Sequence, residues 1–259
     1  MNGEKYTLEF YRKGFFGYGK EGEFRPWSFS HFAMFIILAA GIVPLALFGA
    51  EIRDWAGEEK LRCALAMLMM LCEFGYLWRL LYVGPETHEK KTMIMRLPLQ
   101  VCNWTALLVL PMLFLKSKLL LSMVFYLSLT CGMVALCLPL VITTTGPSYF
   151  RYYHFCGEHI LPIWSVFYLI FVHGIRPSPI GILLMFCMLF VMAPLAAYFN
   201  KRYDECNFLY LKPEKYPLLK QYLRINSAFG LKCLYGVIVA ILCLIVQSIY
   251  QLILSALSL

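Results

Sequence analysis

The sequence predicts an all-α, polytopic membrane protein, a bundle of seven transmembrane helices with its N-terminus cytoplasmic and its C-terminus outside. Three observations predict it. The chain of 259 residues is 61% hydrophobic and only 15% charged, whereas a soluble domain has about 45–50% apolar and about 25% charged residues. The apolar residues gather into seven stretches, near 30–49, 61–83, 97–115, 119–142, 158–175, 179–199 and 231–256. Each approaches the roughly 20 residues that carry a helix across a hydrocarbon core. Finally, the basic residues lie mostly in one alternate set of connections.

Residues 1–28 mix aromatic side chains with charges of both signs and show no cleavage-site pattern, so they read as a cytoplasmic or interfacial segment. Residues 29–259 then form one transmembrane domain. The stretches are too long and too uniformly apolar for barrel strands, which are short and alternate. No repeat with a period of 20–50 residues is evident, which argues against a solenoid. With seven spans, the N-terminus and the loops 84–96, 143–157 and 200–230 share one side. That side holds most of the loop lysines and arginines, including Arg12, Lys13, Lys90, Lys91, Arg151, Lys201 and Arg202, and is therefore cytoplasmic. The formal charge of +8 orients the chain in this reading. Nucleic acid is not an expected partner, since no basic stripe is interleaved with exposed aromatics. The ten cysteines are not a disulfide framework, because Cys63, Cys72, Cys131, Cys137, Cys187, Cys233 and Cys243 fall within the apolar stretches. There a thiol usually behaves as a small hydrophobe.

Function is sought in the polar residues these stretches contain. The third opens "RLPLQVCNWTALLVLP" at 96–111, crowding Gln100, Cys102, Asn103 and Trp104 into its first two turns. A helix that only filled a membrane would use Leu and Val there. Given the predicted topology, His31, Cys102, His154, His159, Asn200 and Asn207 come from four segments to one depth at the cytoplasmic face. A cysteine near a helix N-terminus meets the positive end of the helix dipole, which stabilises negative charge on sulfur. A neutral imidazole nearby is the usual activator of a thiol.

Each residue also has a plainer role. Cys102 alone is more often a packing residue, His31 can cap span 1, and Asn200 and Asn207 can close the end of span 6. Glu158 either caps span 5 or orients an imidazole. Glu73, near the middle of span 2, is costly to bury and so faces the bundle interior. Arg79 snorkels, and His173, at the far end of span 5, is structural. The run "HFCGEH" at 154–159 invites a zinc site, but zinc needs about four ligands and only one suitable histidine pair is present. No metal and no cofactor is expected.

The segments "SFSHF" at 28–32, "LPLQVC" at 97–102, "EHI" at 158–160 and "YFNKRYDECNFLYLKP" at 198–213 resemble the bacterial YwaF-like integral membrane proteins. That family is similar to eukaryotic transmembrane protein 164. The resemblance implies a coenzyme-A-independent phospholipid acyltransferase, with membrane phospholipids and lysophospholipids as its partners. It implies Cys102 as nucleophile and His159 as base, supported by His31, Gln100, Asn103, Asn200, Asn207 and Glu73. Gln100 departs from the family pattern, where many members carry His, though Gln or Asn103 could donate to an oxyanion. The YwaF likeness favours a bacterial plasma membrane over the endoplasmic reticulum. Two other classes stand beside this one. An intramembrane lipid hydrolase would differ only in passing the acyl group to water. A transporter or lipid-binding protein would use midplane polar sites in paired halves, and Glu73 has no counterpart in the second half.

Overall fold

The computed structural model describes residues 14–16, 24–82, 97–139, 146–204, 206–212 and 227–256, and among them regular structure is entirely helical. The helices are α1 Phe29–Leu47, α2 Gly49–Asp54, α3 Glu58–Tyr82, α4 Val101–Leu115, α5 Lys118–Cys137, α6 Phe150–Phe171, α7 Ile180–Arg202 and α8 Ala228–Ala256. All but the short α2 coincide with an apolar stretch of the sequence. Four of them, α1, α5, α7 and α8, are long and apolar enough to cross a membrane. Helix α4 is shorter, with 15 residues, while α3 and α6 carry polar residues that the bundle buries. Most of the predicted N-terminal segment, the 84–96 loop and residues 213–226 lie outside the described residues.

Helix α6 is the hub, packing against α1, α3, α4 and α5. Its sequence explains this, since apolar Phe155, Ile163, Val166 and Leu169 and polar His154, Glu158, His159 and Ser165 are all buried. Two glycines set how closely its neighbours approach. A Cβ on Gly41 of α1 would lie 2.1 Å from the Trp164 ring, so the missing side chain lets Trp164 donate to the Leu38 carbonyl at 2.9 Å. A Cβ on Gly157 would lie 2.4 Å from Cys72 Sγ, which brings α3 against α6 beside Glu158.

Three local features differ from the sequence expectation. Helix α6 begins at Phe150, so Glu158 and His159 lie two turns inside it instead of in its first turn. Residues 150–157 hold too much Arg, His and Tyr to look apolar, yet Tyr152, Phe155 and Cys156 are buried against α1 and α5. Helix α4 begins at Val101, after the turn at Pro98, making Cys102 its second residue. Helix α5 loosens into a π turn at Ser128–Gly132, which packs on α6 and α8.

A second polar group lies at the other end of α3. Glu58 accepts from Tyr168 Oη, from His173 Nε2 at 2.7 Å and from Arg62 Nε at 3.1 Å. Burial pushes the Glu58 carboxyl up, but those hydrogen bonds prevail and hold it down to about 2. His173 thereby links the end of α6 to the start of α3.

Candidate functional site

The polar centre is built where α3, α4 and α6 meet. Arg151, His154 and Glu158 follow one another at i, i+3 and i+7, which places them on one face of α6. Glu158 is 3% exposed. Asn103 of α4 donates from Nδ2 to Glu158 Oε1 at 2.8 Å. On the other oxygen, Oε2, His154 Nδ1 lies at 3.6 Å and Arg151 Nη1 at 3.9 Å. The Arg151 guanidinium also donates to His154 Nδ1. Glu73 enters from α3, with a carboxylate oxygen within 4.8 Å of ligand atoms of His154 and Glu158, and its Oε1 is buried without a hydrogen-bond partner. Pro162 has no N–H to donate to the carbonyl four residues before it, so the Glu158 carbonyl loses its helical partner as well.

Cys102 precedes Asn103 on α4 and is half-buried. It stands in the first turn of α4, where backbone N–H groups have no intrahelical acceptor. Gln100, in extended conformation just before the helix, accepts from the Leu209 N–H at 3.0 Å. Asn103 spends an amide N–H on the Glu158 carboxylate. Donors available to an oxyanion include the backbone N–H groups at the start of α4.

His159 is 6% exposed and stands beside Glu158. Its Nδ1 lies 2.8 Å from the Phe155 carbonyl. A carbonyl only accepts, so Nδ1 carries the proton and Nε2 presents its lone pair. That is the tautomer a base requires. Cys102 and His159 sit on contacting helices, α4 and α6.

The six residues expected at one depth fall into three separate groups. Cys102, His154 and the Glu158–His159 pair form the centre, together with Glu73. His31 is fully buried elsewhere, with Nδ1 accepting from the Trp27 N–H at 2.9 Å and Nε2 donating to the Leu136 carbonyl at 2.7 Å. Both of its nitrogens are engaged in tying α1 to the end of α5. Asn200 closes on residue 208, accepting from the Phe208 N–H at 2.7 Å and donating to its carbonyl at 2.9 Å. Asn207 accepts from the Lys212 N–H at 3.0 Å. With Gln100, these asparagines pin residues 206–212 to the ends of α4 and α7. The sequence reading passed over Arg151 and gave Glu158 only a supporting part. Their spacing on one helix face was the available signal, hidden by starting the helix at 158.

The same centre holds the donor set that could bind a metal ion. Ligand atoms of Glu73, His154 and Glu158 lie within 4.8 Å of one another, which the sequence, expecting no metal, did not anticipate. The Arg151 guanidinium already brings positive charge to two of the three. An apolar cleft between α4 and α7, lined by Trp104, Met188, Val191 and Met192, is separate from this centre. Trp104 lies about 200° around α4 from Cys102 at 100° per residue.

A helical bundle with apolar outer faces, enclosing a thiol, two carboxylates and two imidazoles, defines an integral membrane protein with a buried polar centre. The family model for the TMEM164 family matches residues 26–250, and the chain belongs to that family. The match takes in every residue of the centre. No curated protein and no solved structure matches the chain.

Proposed function

We propose that this protein is a membrane-embedded phospholipid acyltransferase that works without coenzyme A, through an acyl-cysteine on Cys102 with His159 as base. The observation that carries the reading is the placement of these two residues. A thiol near the N-terminus of α4 and an imidazole on α6 with Nε2 available are carried by two helices in contact. In the proposed bundle of seven spans, with its N-terminus cytoplasmic, the start of α4 lies at the cytoplasmic boundary of the membrane. Phospholipid esters occupy that depth.

The cycle is ping-pong. His159 Nε2 takes the thiol proton as sulfur attacks the ester carbonyl carbon. The carbonyl oxygen gains charge against the N–H groups of the first turn of α4, and each well-placed donor contributes about 3–4 kcal/mol. The C–O bond to the lysolipid then breaks, and the departing oxygen takes the proton back from His159. In the second half a lysolipid hydroxyl gives its proton to His159 and attacks the thioester, which frees Cys102. A water molecule in place of the hydroxyl makes the same chemistry a hydrolase.

The test is intact-mass spectrometry of purified protein incubated with an acyl-tagged phosphatidylcholine. An adduct on Cys102 that moves to added lysolipid is expected, and Cys102→Ser and His159→Ala should each cut transfer by about 100-fold or more. Full turnover in both variants refutes the scheme. An adduct lost only to water makes the protein a hydrolase.

A further inference from the structure

A buried carboxylate is paired, hydrogen-bonded or bound to a metal ion, and the polar centre sets two carboxylates against one guanidinium. We propose that Glu73, His154 and Glu158 form a binding site for a single divalent cation of the zinc class, which fastens α3 to α6. One imidazole nitrogen and two carboxylate oxygens are donors that zinc accepts, with a fourth position left for water. The site goes beyond the acyltransferase reading and does not rest on it.

His154 and Glu158 stand at i and i+4 on α6, so their side chains leave one face of the helix together. They are 2% and 3% exposed. His154 Nδ1 lies 3.6 Å from Glu158 Oε2. Ligand bonds of about 2.0–2.2 Å at a tetrahedral angle put two donor atoms about 3.3–3.5 Å apart, so this pair already has the spacing of neighbouring ligands. Asn103 holds the other oxygen of Glu158 at 2.8 Å, an outer hydrogen bond of the kind that orients a ligating carboxylate. Glu73 brings the third donor from α3. The three donor atoms all lie within 4.8 Å of one another, and drawing the widest pair to a bonded spacing takes a shift of about 1 Å. Glu73 Oε1 is sealed from solvent without a hydrogen-bond partner, and a buried acceptor left in that state is costly. Helix α3 comes this close because Gly157, between the two ligands of α6, has no side chain. A Cβ there would lie 2.4 Å from Cys72 Sγ, and Cys72 adjoins Glu73.

Arg151 is the competing cation. Its guanidinium donates to His154 Nδ1 and stands 3.9 Å from Glu158 Oε2, where it takes the lone pair an ion would use. It is the second residue of α6 and its side chain is 18% exposed, so its long stem can carry the charge outward when an ion enters. One guanidinium leaves the two carboxylates with a net negative charge, and a divalent ion balances them.

The test uses the full chain purified in detergent, free of any affinity tag and stripped of metal by a chelator. Equilibrium dialysis against about 10 μM zinc chloride fills a site of micromolar affinity, and elemental mass spectrometry then gives the ions bound per chain. Wild type should hold one. Glu73→Gln and His154→Gln should each bind at least about 100-fold more weakly, since loss of even an outer partner costs about 10–100-fold. Arg151→Gln should bind about tenfold more tightly or better, because a like charge and a competing donor are gone. X-ray absorption of zinc-loaded wild type should show nitrogen and oxygen donors at about 2.0–2.2 Å, one imidazole, and no sulfur near about 2.3 Å. Wild type that retains no zinc overturns the proposal. So does binding that Glu73→Gln and His154→Gln leave unchanged, and so does an ion that Arg151→Gln holds no more tightly. If the variants do not fold, the absorption spectrum of wild type decides alone, and sulfur or a second imidazole around the zinc overturns the site. The presence or absence of an acyl adduct on Cys102 changes none of these outcomes.

Discussion

Asn103 holds the polar centre together from a position that looks like a helix-start residue. It donates to Glu158 at 2.8 Å, so one neutral amide ties α4 to the buried carboxylate of α6. Asn103→Leu keeps the volume roughly constant and removes the donor. A hydrogen bond to a charged group contributes about 1.5–3 kcal/mol, and the variant should lose that much stability in detergent unfolding. A loss near zero would mean the carboxylate finds another partner. Residue types in this centre were legible before the fold was known, because Cys102, His159 and Glu73 are conspicuous in apolar sequence. Their partners were not. Whether Cys102 meets an imidazole or a carboxylate depends on the rotation of α6 about its axis, which no local pattern records. His31 shows the same limit from the other side. Its place near the start of α1 suggested the site, but both ring nitrogens are spent on Trp27 and Leu136.

Among the elements, the approach of α3 to α6 decides whether the centre exists. Gly157 permits it, and Gly157→Ala would set a methyl group 2.4 Å from Cys72 Sγ. Overpacking of this kind costs about 1–3 kcal/mol, and the helices should part enough to draw Glu73 away from His154 and Glu158. Trimming the opposite wall tests the cause: Cys72→Ala combined with Gly157→Ala should recover most of the lost stability. A double variant that is as unstable as the sum of the two singles would show that the contact is not the reason. Among the described residues, helix existence was plain in the sequence for every helix but the short α2, since the apolar stretches mark them. Helix starts were less plain. The first two turns of α6 are rich in Arg, His and Tyr, and they are helical because Tyr152, Phe155 and Cys156 find buried places against α1 and α5. The π turn of α5 has no sequence mark at all, being a response to packing on α6 and α8.

For the whole molecule, the bundle is tied at two polar places along α3. Glu58 and Glu73 are fifteen residues apart in the sequence, which is roughly 22 Å along a helix at 1.5 Å per residue. At the first of these, Glu58 binds Tyr168, His173 and Arg62 and is held down to about 2 from its ordinary 4.5. A carboxyl whose folded value is depressed adds stability above its unfolded value, and that contribution is lost as pH falls through the folded one. The thermal midpoint should therefore decline from about pH 4.5 toward about pH 2. Glu58→Gln should be less stable near neutrality and lose that part of the acid dependence. An unchanged acid limb in the variant would assign the decline to other groups. The outer faces need no such ties. Phe190, Val191, Leu244 and Leu252 are exposed because lipid, not protein, is their solvent.

The sequence by itself determined the helical membrane class, the places of the long helices, the family likeness and the polar residues worth examining. Each of those rests on composition and on short contiguous stretches, which local physics can read. Only the tertiary structure decided that Glu158 and Asn103 stand at the centre with Cys102, and that His31, Asn200 and Asn207 are bound elsewhere. Those outcomes depend on helix rotation and on close approaches such as Gly157 to Cys72, which are set by the packing of residues distant in the chain.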